Sequence, residues 1–193
     1  MRLSSSSISE SALRICDAYG LADVTMRRVA ATLDVAPGAL YWHVKSKQEL
    51  IALMAQLIIS PTLSHAHEDP RELAHALRRA VLAHRDGAEV VMSAVSQPNS
   101  RVREDLMNAV RASLGSGTDA NTAIRDAAAA GVVYLTLGAA AVHQSTLQLR
   151  EATSDGGSLD GHCGDHCDDE TANEREALQG IDLLLNGLEH TPR

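Results

Sequence analysis

Aromatic side chains are nearly absent from this chain of 193 residues, which has no phenylalanine and only 2% aromatic residues. Hydrophobic residues still make up 45% of it, so its core must be built mainly from Ala, Leu, Val and Ile. Alanine-rich segments favour helix, and the alternating β-branched pattern of strands does not appear. The composition therefore predicts an all-α protein.

Features of membrane and secreted proteins are also missing. We expect no transmembrane helix, which needs an uncharged apolar run of about 18 residues. The opening MRLSSSSISE lacks the apolar segment of a secretory signal. Three cysteines are an odd number, which argues against a disulfide framework. We therefore expect a cytoplasmic protein with no membrane partner.

Common catalytic motifs are absent as well: there is no G-x-S-x-G, H-E-x-x-H, Walker or dinucleotide-binding sequence. The run His84-Arg85-Asp86 has residue types used in acid–base catalysis. Adjacent residues on a helix point in different directions, so a buried structural network at a helix end is the favoured interpretation. We predict that the chain is not an enzyme, has no catalytic residue and uses no cofactor.

The strongest pattern that is present lies at residues 25–47, TMRRVAATLDVAPGALYWHVKSK. Its first part has helical periodicity and a threonine placed to cap it, and Pro37 suits the first turn of a second helix that runs through His43. Two such helices joined by about three or four residues match a helix-turn-helix. Leu40 and Val44 would point inward, leaving Tyr41 and Trp42 exposed. The alternative is a plain helical hairpin whose aromatic residues fill a core.

An exposed Tyr-Trp-His run followed by lysines is suited to lying on DNA. Tyr and His can hydrogen-bond phosphates, small residues permit close approach to base edges, and lysines neutralise the backbone. Arg27 is the expected base-contacting residue, since its guanidinium matches O6 and N7 of guanine, and Ala39 is placed to touch a thymine methyl. The predicted DNA-binding residues are Thr25, Arg27, Arg28, Pro37, Gly38, Ala39, Tyr41, Trp42, His43, Lys45 and Lys47.

The charge distribution agrees with this prediction, although the net charge of −8 does not. Residues 1–50 hold six basic and five acidic residues, a net charge of +1, which leaves 11 basic and 20 acidic residues in the remainder, a net charge of −9. An acidic body is repelled by phosphates, so the DNA must be met by the N-terminal part.

Helical periodicity continues outside this stretch. A first helix is predicted from a Ser7/Glu10 capping box to Gly20, and a fourth from a Ser46/Glu49 capping box to Pro61. Further helices are predicted near 70–84, 88–95, 100–114 and 121–150, then a loop at about 151–170 and a last helix capped by Thr171. The expected domains are a DNA-binding domain at 1–46 and a helical effector-binding and dimerisation domain at 47–193.

The pattern TxRxVAxxLxVxxxxLYWHVxxKxxL at residues 25–50 resembles the DNA-binding domain of TetR-family transcriptional repressors, and HRDGAEV at 84–90 resembles the tetracycline repressor branch. The resemblance implies a homodimer with a four-helix interface from the 121–150 and 171–189 helices. The alternative is that both faces are used within one subunit. It also implies two recognition helices about 34–36 Å apart on operator DNA. Pro37, Gly38 and Ala39 replace the branch's polar base-contacting residues, so the operator sequence is left open.

The resemblance places an effector pocket in the body. Aligning through HRDGA brings Leu77, Val91 and Val95 to the region where the branch has polar and chelating groups. Aligning through Thr136–Gly138 puts Tyr134 and Val142 on the lining. We therefore expect a flat, hydrophobic effector rather than a magnesium chelate. His143 is either on this lining or in the core, and the core is favoured. The predicted ligand-binding residues are Leu73, Leu77, Val91, Val95, Leu106, Tyr134, Val142 and His143.

A second function class rests on the segment 162–168, HCGDHCD. His162, Cys163, His166 and Cys167 are the ligand types of a zinc site. One short segment rarely supplies all four positions, so the favoured interpretation is a solvated acidic loop with incidental ligands and no metal. The alternative function is a metal-responsive regulator or a small metal-binding helical protein.

Overall fold

The computed structural model describes residues 3–115, 122–154 and 165–189, and it places them in nine α-helices and one 3-10 turn without a strand. The all-α prediction is confirmed. The elements are α1 (Ser5–Tyr19), a 3-10 turn (Leu21–Asp23), α2 (Met26–Thr32), α3 (Pro37–Leu40), α4 (Lys47–Leu63), α5 (Pro70–Leu82), α6 (Gly87–Val95), α7 (Arg101–Ser113), α8 (Thr122–Ser154) and α9 (Asp165–Glu189).

We call residues 3–46 the head and residues 47–189 the body. The helix α4 begins at Lys47, next to the predicted domain boundary, and packs against α1 of the head and α6 of the body. Buried apolar side chains recur along its length at Leu50, Met54 and Ile58. One continuous apolar core therefore runs from the head into the body.

The N-terminal cap of α1 lies one turn earlier than predicted. Ser4, not Ser7, is the N-cap: its hydroxyl accepts a hydrogen bond from the Ser7 amide, and the Ser7 hydroxyl accepts one from the Ser4 amide. Glu10, the predicted capping partner, instead accepts a hydrogen bond from the Ser6 hydroxyl at 2.8 Å. A run of four serines offers several caps, and the earliest adds a turn of helix.

The two ends of α4 also differ from the prediction. Ser46 does cap the Glu49 amide, but the Glu49 carboxylate accepts from the amide of Lys45 at 2.6 Å, so the capping box is not reciprocal. Pro61 does not stop the helix, which continues to Leu63. A proline in the last turn removes only one backbone donor, and the Ser64 amide still bonds to the Ser60 carbonyl.

The loop predicted at 151–170 is shorter than expected. Helix α8 continues to Ser154 and α9 begins at Asp165, so Thr171 lies inside α9 rather than at its cap. Acidic residues are favoured in a first helical turn because they meet the positive end of the helix dipole, and α9 opens with the acidic sequence DHCDDE. Residues 155–164 lie outside the described residues.

Helices α8 and α9 pack very closely. A side-chain carbon added to Gly131 would lie 2.1 Å from Cδ1 of Leu184, so a larger residue there would require the Leu184 side chain to move. By length and composition α8 is apolar enough to cross a membrane, with a window of mean hydropathy 1.3 within Thr122–Thr153, which corrects the expectation that no such segment exists. One such helix is weak evidence, and α8 packs against α5, α6, α7 and α9.

Candidate nucleic-acid interface and sites in the body

Two short helices in the head are held at a fixed turn. Thr25 caps α2, since its Oγ1 accepts from the Arg28 amide at 3.1 Å. Asp34 has a φ of 54°, which reverses the chain, and the Val35 amide returns to the Ala30 carbonyl at 3.0 Å. Pro37 then opens α3 as predicted. The helix-turn-helix is confirmed in these elements.

The second helix is shorter than predicted. Helix α3 ends at Leu40, and residues 41–43 form a turn instead of continuing to His43. Amides of His43 and Val44 both bond to the Leu40 carbonyl, at 2.9 and 2.8 Å, which closes this turn. Leu40 and Val44 are fully buried, as predicted from their spacing. These two anchors fix how the exposed residues between them are presented.

The exposed aromatic residues are not part of a core. Tyr41 is 51% exposed and Trp42 is 89% exposed, which rules out the helical hairpin in which they fill the interior. Exposing an indole to water costs free energy that burial would recover, so such a residue marks a surface that contacts something else. Of the eleven predicted DNA-binding residues, nine are exposed, and Arg28 and Ala39 are partly buried.

Arg27 and Arg28 have different environments. The guanidinium of Arg28 forms an ion pair with Asp23 and lies 4.0 Å from the ring centre of Tyr19. Arg27 is exposed and has no hydrogen bond or ion pair to the part of the chain that the structure describes. Arg27 is therefore free to contact a base edge, while Arg28 is held by the head itself.

The turn between α5 and α6 forms a polar contact with the head, which we call the junction. Asp86, with a φ of 56°, accepts a hydrogen bond from the Leu21 amide at 2.7 Å through Oδ2. His84 Nδ1 lies 3.1 Å from both carboxylate oxygens of Asp17, and the Arg85 amide donates to Asp17 at 3.2 Å. These contacts form a structural network at a helix end, as predicted, and the network reaches the head. The expectation that it is buried is wrong, since Arg85 is exposed and His84 is only partly buried.

Two glutamines of α8 complete the junction. Gln144 donates to the His84 carbonyl at 2.8 Å and accepts from the Ala88 amide at 3.0 Å. Gln148 donates to Oδ1 of Asp86. The sequence prediction missed both residues, although two glutamines four apart in an apolar helix share a face and mark a polar contact.

Cys16 is a buried part of the same junction. Its thiol donates to the Arg85 carbonyl at 3.2 Å and is fully inaccessible to solvent. Burial, with a further contribution from the nearby carboxylates of Asp86 and Asp17, raises the pKa of the thiol from 9.0 to about 12. The nucleophilic form of a cysteine is the thiolate, so this residue is a small core residue and not a reactive one.

The predicted ligand-binding residues occupy three environments. Tyr134 is 48% and Val142 61% exposed. His143 is half-buried and lines a cavity of about 450 Å³ beside His84 and Arg85, so its favoured placement in the core is wrong. The other five belong to the close-packed core: Leu73, Leu77, Val91, Val95 and Leu106. The structure does not bring these eight side chains together, and the effector site stays a prediction.

A larger cavity, of about 540 Å³, opens between α7 and α8 and was not predicted. Its walls are mainly charged and amide side chains, and Arg111 is tied there to Asp126 at 2.6 Å. Its lining consists of Gln97, Asn99, Ser100, Arg103, Glu104, Met107, Asn108, Arg111, Asp126 and Ala130. No apolar periodicity marks such a surface, so the sequence gives little signal for it.

The predicted metal-binding residues lie where the structure describes no side chains. His162 and Cys163 lie outside the described residues, and His166 and Cys167 lie in the first turn of α9, where side chains are not described. Among the described side chains, no group of three or more His, Cys, Asp or Glu is arranged to hold a metal ion.

Comparison with known proteins gives a consistent set of matches. Residues 8–54 match the family model described as bacterial regulatory proteins, tetR family. The chain is 31% identical to the tetracycline repressor protein class C of Escherichia coli, over 75% of this chain and 68% of that protein. The crystal structure of BioQ from Mycobacterium smegmatis has a TM-score of 0.78 and 33% identity, covering 97% of this chain and 98% of that one. The structure of BioQ with its double-stranded DNA operator has a TM-score of 0.71 and 31% identity, covering 98% and 100%.

Proposed function

We propose that this chain, which belongs to the TetR family of bacterial transcriptional regulators, is a ligand-responsive repressor that binds operator DNA as a homodimer. The observation that supports DNA binding most directly is the exposed Tyr41-Trp42 pair, which follows a short α3 anchored by two buried residues. In this proposal α3 enters the major groove, and the aromatic residues with Lys45 and Lys47 position the phosphate backbone.

The family supports the regulatory part of the proposal. Relatives named as tetracycline repressors and a BioQ structure with its DNA operator cover most of this chain. Such a regulator is not an enzyme and acts in the cytoplasm, where DNA is found. The effector must bind more tightly to the conformation that does not fit DNA than to the one that does. A ligand that binds both conformations equally would not change their populations.

We further propose that the effector is hydrophobic rather than a magnesium chelate. Leu77, Val91 and Val95, which the resemblance aligns with chelating positions, are apolar and buried. Apolar side chains at these positions offer no oxygen ligand to a hydrated Mg²⁺. Tight magnesium-dependent binding of tetracycline would refute this part.

The pair Arg27 and Arg28 offers a matched test of the groove assignment. Replacing Arg27 by Ala is expected to cost about 1–3 kcal/mol of operator binding and to relax specificity at one position of each half-site. Replacing Arg28 by Ala should cost less specificity, since its side chain is engaged with Asp23. Binding to the promoter region upstream of its own gene can be followed by a mobility-shift assay.

The phosphate contacts have a separate signature. Lys47→Ala should weaken binding to all sequences alike and lower the dependence of affinity on salt, because one fewer counterion is released. If Arg27→Ala and Lys47→Ala both leave operator binding unchanged while the helical content is kept, the proposed surface is wrong.

A further inference from the structure

Three polar side chains of α5 reach across to α9. Arg71 Nε donates to Asp182 at 2.5 Å and His75 Nδ1 lies 2.9 Å from Glu174. The side chains of these two pairs are 32–46% exposed. Half-exposed ion pairs contribute about 0–1 kcal/mol each, so separating α5 from α9 here costs little.

The third of these side chains, Arg78, is buried and incompletely paired. Its side chain is only 6% exposed, Nη1 donates to Asn173 at 3.1 Å, and Nε lies 3.9 Å from Glu174. The remaining nitrogen, Nη2, is inaccessible to solvent and has no hydrogen-bond partner among the residues that the structure describes. A buried donor without an acceptor is costly, so its presence calls for a group that supplies one.

Arg78 lines a small cavity between α5, α8 and α9. The cavity has a volume of about 10 Å³, which is room for about one water molecule or one ligand oxygen. Its walls are otherwise mostly apolar: the lining consists of Ala74, His75, Arg78, Thr136, Glu174, Ala177, Leu178 and Ile181. It lies on the face of α5 that looks towards α9, while Leu73 and Leu77 belong to the packed core.

We propose that this α5–α9 cleft is the effector site, and that it takes a small, largely apolar, neutral molecule whose carbonyl oxygen accepts a hydrogen bond from Nη2 of Arg78. The charge of Arg78 is already balanced by Glu174. A carboxylate ligand would bring a second negative charge beside Glu174, which a weakly hydrated site disfavours. The carbonyl oxygen of the ligand takes the place of one water molecule in the cavity. The apolar part of the ligand enters the cleft when the half-exposed ion pairs between α5 and α9 separate.

The position of α5 gives this site a route to the head. α5 ends at Leu82, two residues before His84, which bonds to Asp17 in the junction. A ligand that separates α5 from α9 therefore shifts the element that carries the junction. The regulatory meaning of the site rests on the proposed function, whereas the existence of the site does not.

Cyclohexanone is a suitable probe because it is neutral, apolar and has one carbonyl. We expect it to cause a saturable shift of the Ile181 methyl resonances in NMR spectra of the full-length protein, with cyclohexanecarboxylate binding more weakly. Ile181 lines the cavity and is present in the native protein and in both variants below. Arg78→Met should weaken cyclohexanone binding about tenfold, the loss expected for one hydrogen bond to a charged group. Arg79→Met is the matched control, because Arg79 is the exposed neighbour on the same helix.

The outcomes separate the site from the function. No saturable shift in the native protein, or equal loss of affinity in both variants, would leave only a bound water at Arg78 and overturn the proposal. Saturating cyclohexanone should also weaken binding to the promoter DNA, and an unchanged affinity would overturn the effector assignment. Failure of the probe-free protein to bind that DNA would refute the proposed function while leaving the titration result intact.

Discussion

The head and the body expose different kinds of large side chain. In the head the exposed groups are aromatic, Tyr41 and Trp42, and two lysines follow within five residues of Trp42. In the body the exposed groups on α8 are mostly aliphatic, and Leu135, Val142 and Leu149 recur along one face. Both surfaces leave large apolar groups in water, which is typical of surfaces that contact a partner.

The difference indicates which partner each surface suits. Aromatic rings beside cations are suited to a polyanion, since the rings pack while the cations neutralise phosphates. An aliphatic stripe that includes Gly138 permits two helices to approach closely, as in a helix–helix interface between subunits. The net charges of +1 for residues 1–50 and −9 for the rest follow the same division.

The largest effect should come from placing a charge on the body surface. Val142 is 61% exposed in the single chain, and Val142→Asp would bury an unpaired carboxylate in each subunit of the proposed dimer. We expect the dimer dissociation constant to rise at least about 100-fold, measured by sedimentation equilibrium. Val142→Ala, which removes apolar area without adding charge, should have a much smaller effect. Equal association of Val142→Asp and the native chain would place the interface elsewhere.

A smaller effect should come from weakening the junction that joins the two regions. Asp86→Asn removes the negative charge of the carboxylate that accepts a hydrogen bond from the Leu21 amide. Asparagine tolerates the same backbone conformation. We expect a loss of about 1–3 kcal/mol in the free energy of unfolding, measured with urea. Asp34→Asn is the control, since Asp34 has a nearly identical φ of 54° and an exposed side chain. Equal losses in both variants would mean that the hydrogen bond contributes nothing.

The smallest effect at moderate pH should come from Cys16 in α1 of the head. Because the folded state holds the thiol proton more tightly, stability from this group is complete below the ordinary pKa of 9.0 and falls as the pH rises towards about 12. One pH unit above the ordinary value the loss is about 1.4 kcal/mol. Lysines and tyrosines titrate in the same range, so the measured quantity is the difference from Cys16→Ala, which should lack this component. Parallel pH profiles for the two proteins would contradict the prediction.

Much of the fold was predictable because apolar periodicity and capping residues are local properties. The helical spacing of Met26, Val29 and Ala30, and the roles of Thr25 and Pro37 at helix starts, were visible in the sequence. Helix ends were predicted less well. A single Pro61 near a helix end, or several adjacent serines that can each cap α1, leaves more than one boundary of similar free energy.

The sites were predictable only where neighbouring residues build them. Exposure of Tyr41 and Trp42 follows from burial of Leu40 and Val44, which is a matter of spacing along one segment. The junction and the unpaired Nη2 of Arg78 depend on residues about 60–95 positions apart, whose approach no local pattern indicates. The predicted effector residues show the same limit, since apolar side chains suit a pocket wall and a packed core equally well.

The chemistry of the junction bears on whether heads can be exchanged among relatives. One of its bonds to the head uses the main-chain amide of residue 21, which every amino acid except proline supplies. Others use the side chains of Asp17 and Cys16, which a transplanted head would have to carry. A chimaera would thus be limited less by the sequence that faces DNA than by one carboxylate and one thiol on α1, and by the shape of the apolar surface that α4 shares with α1.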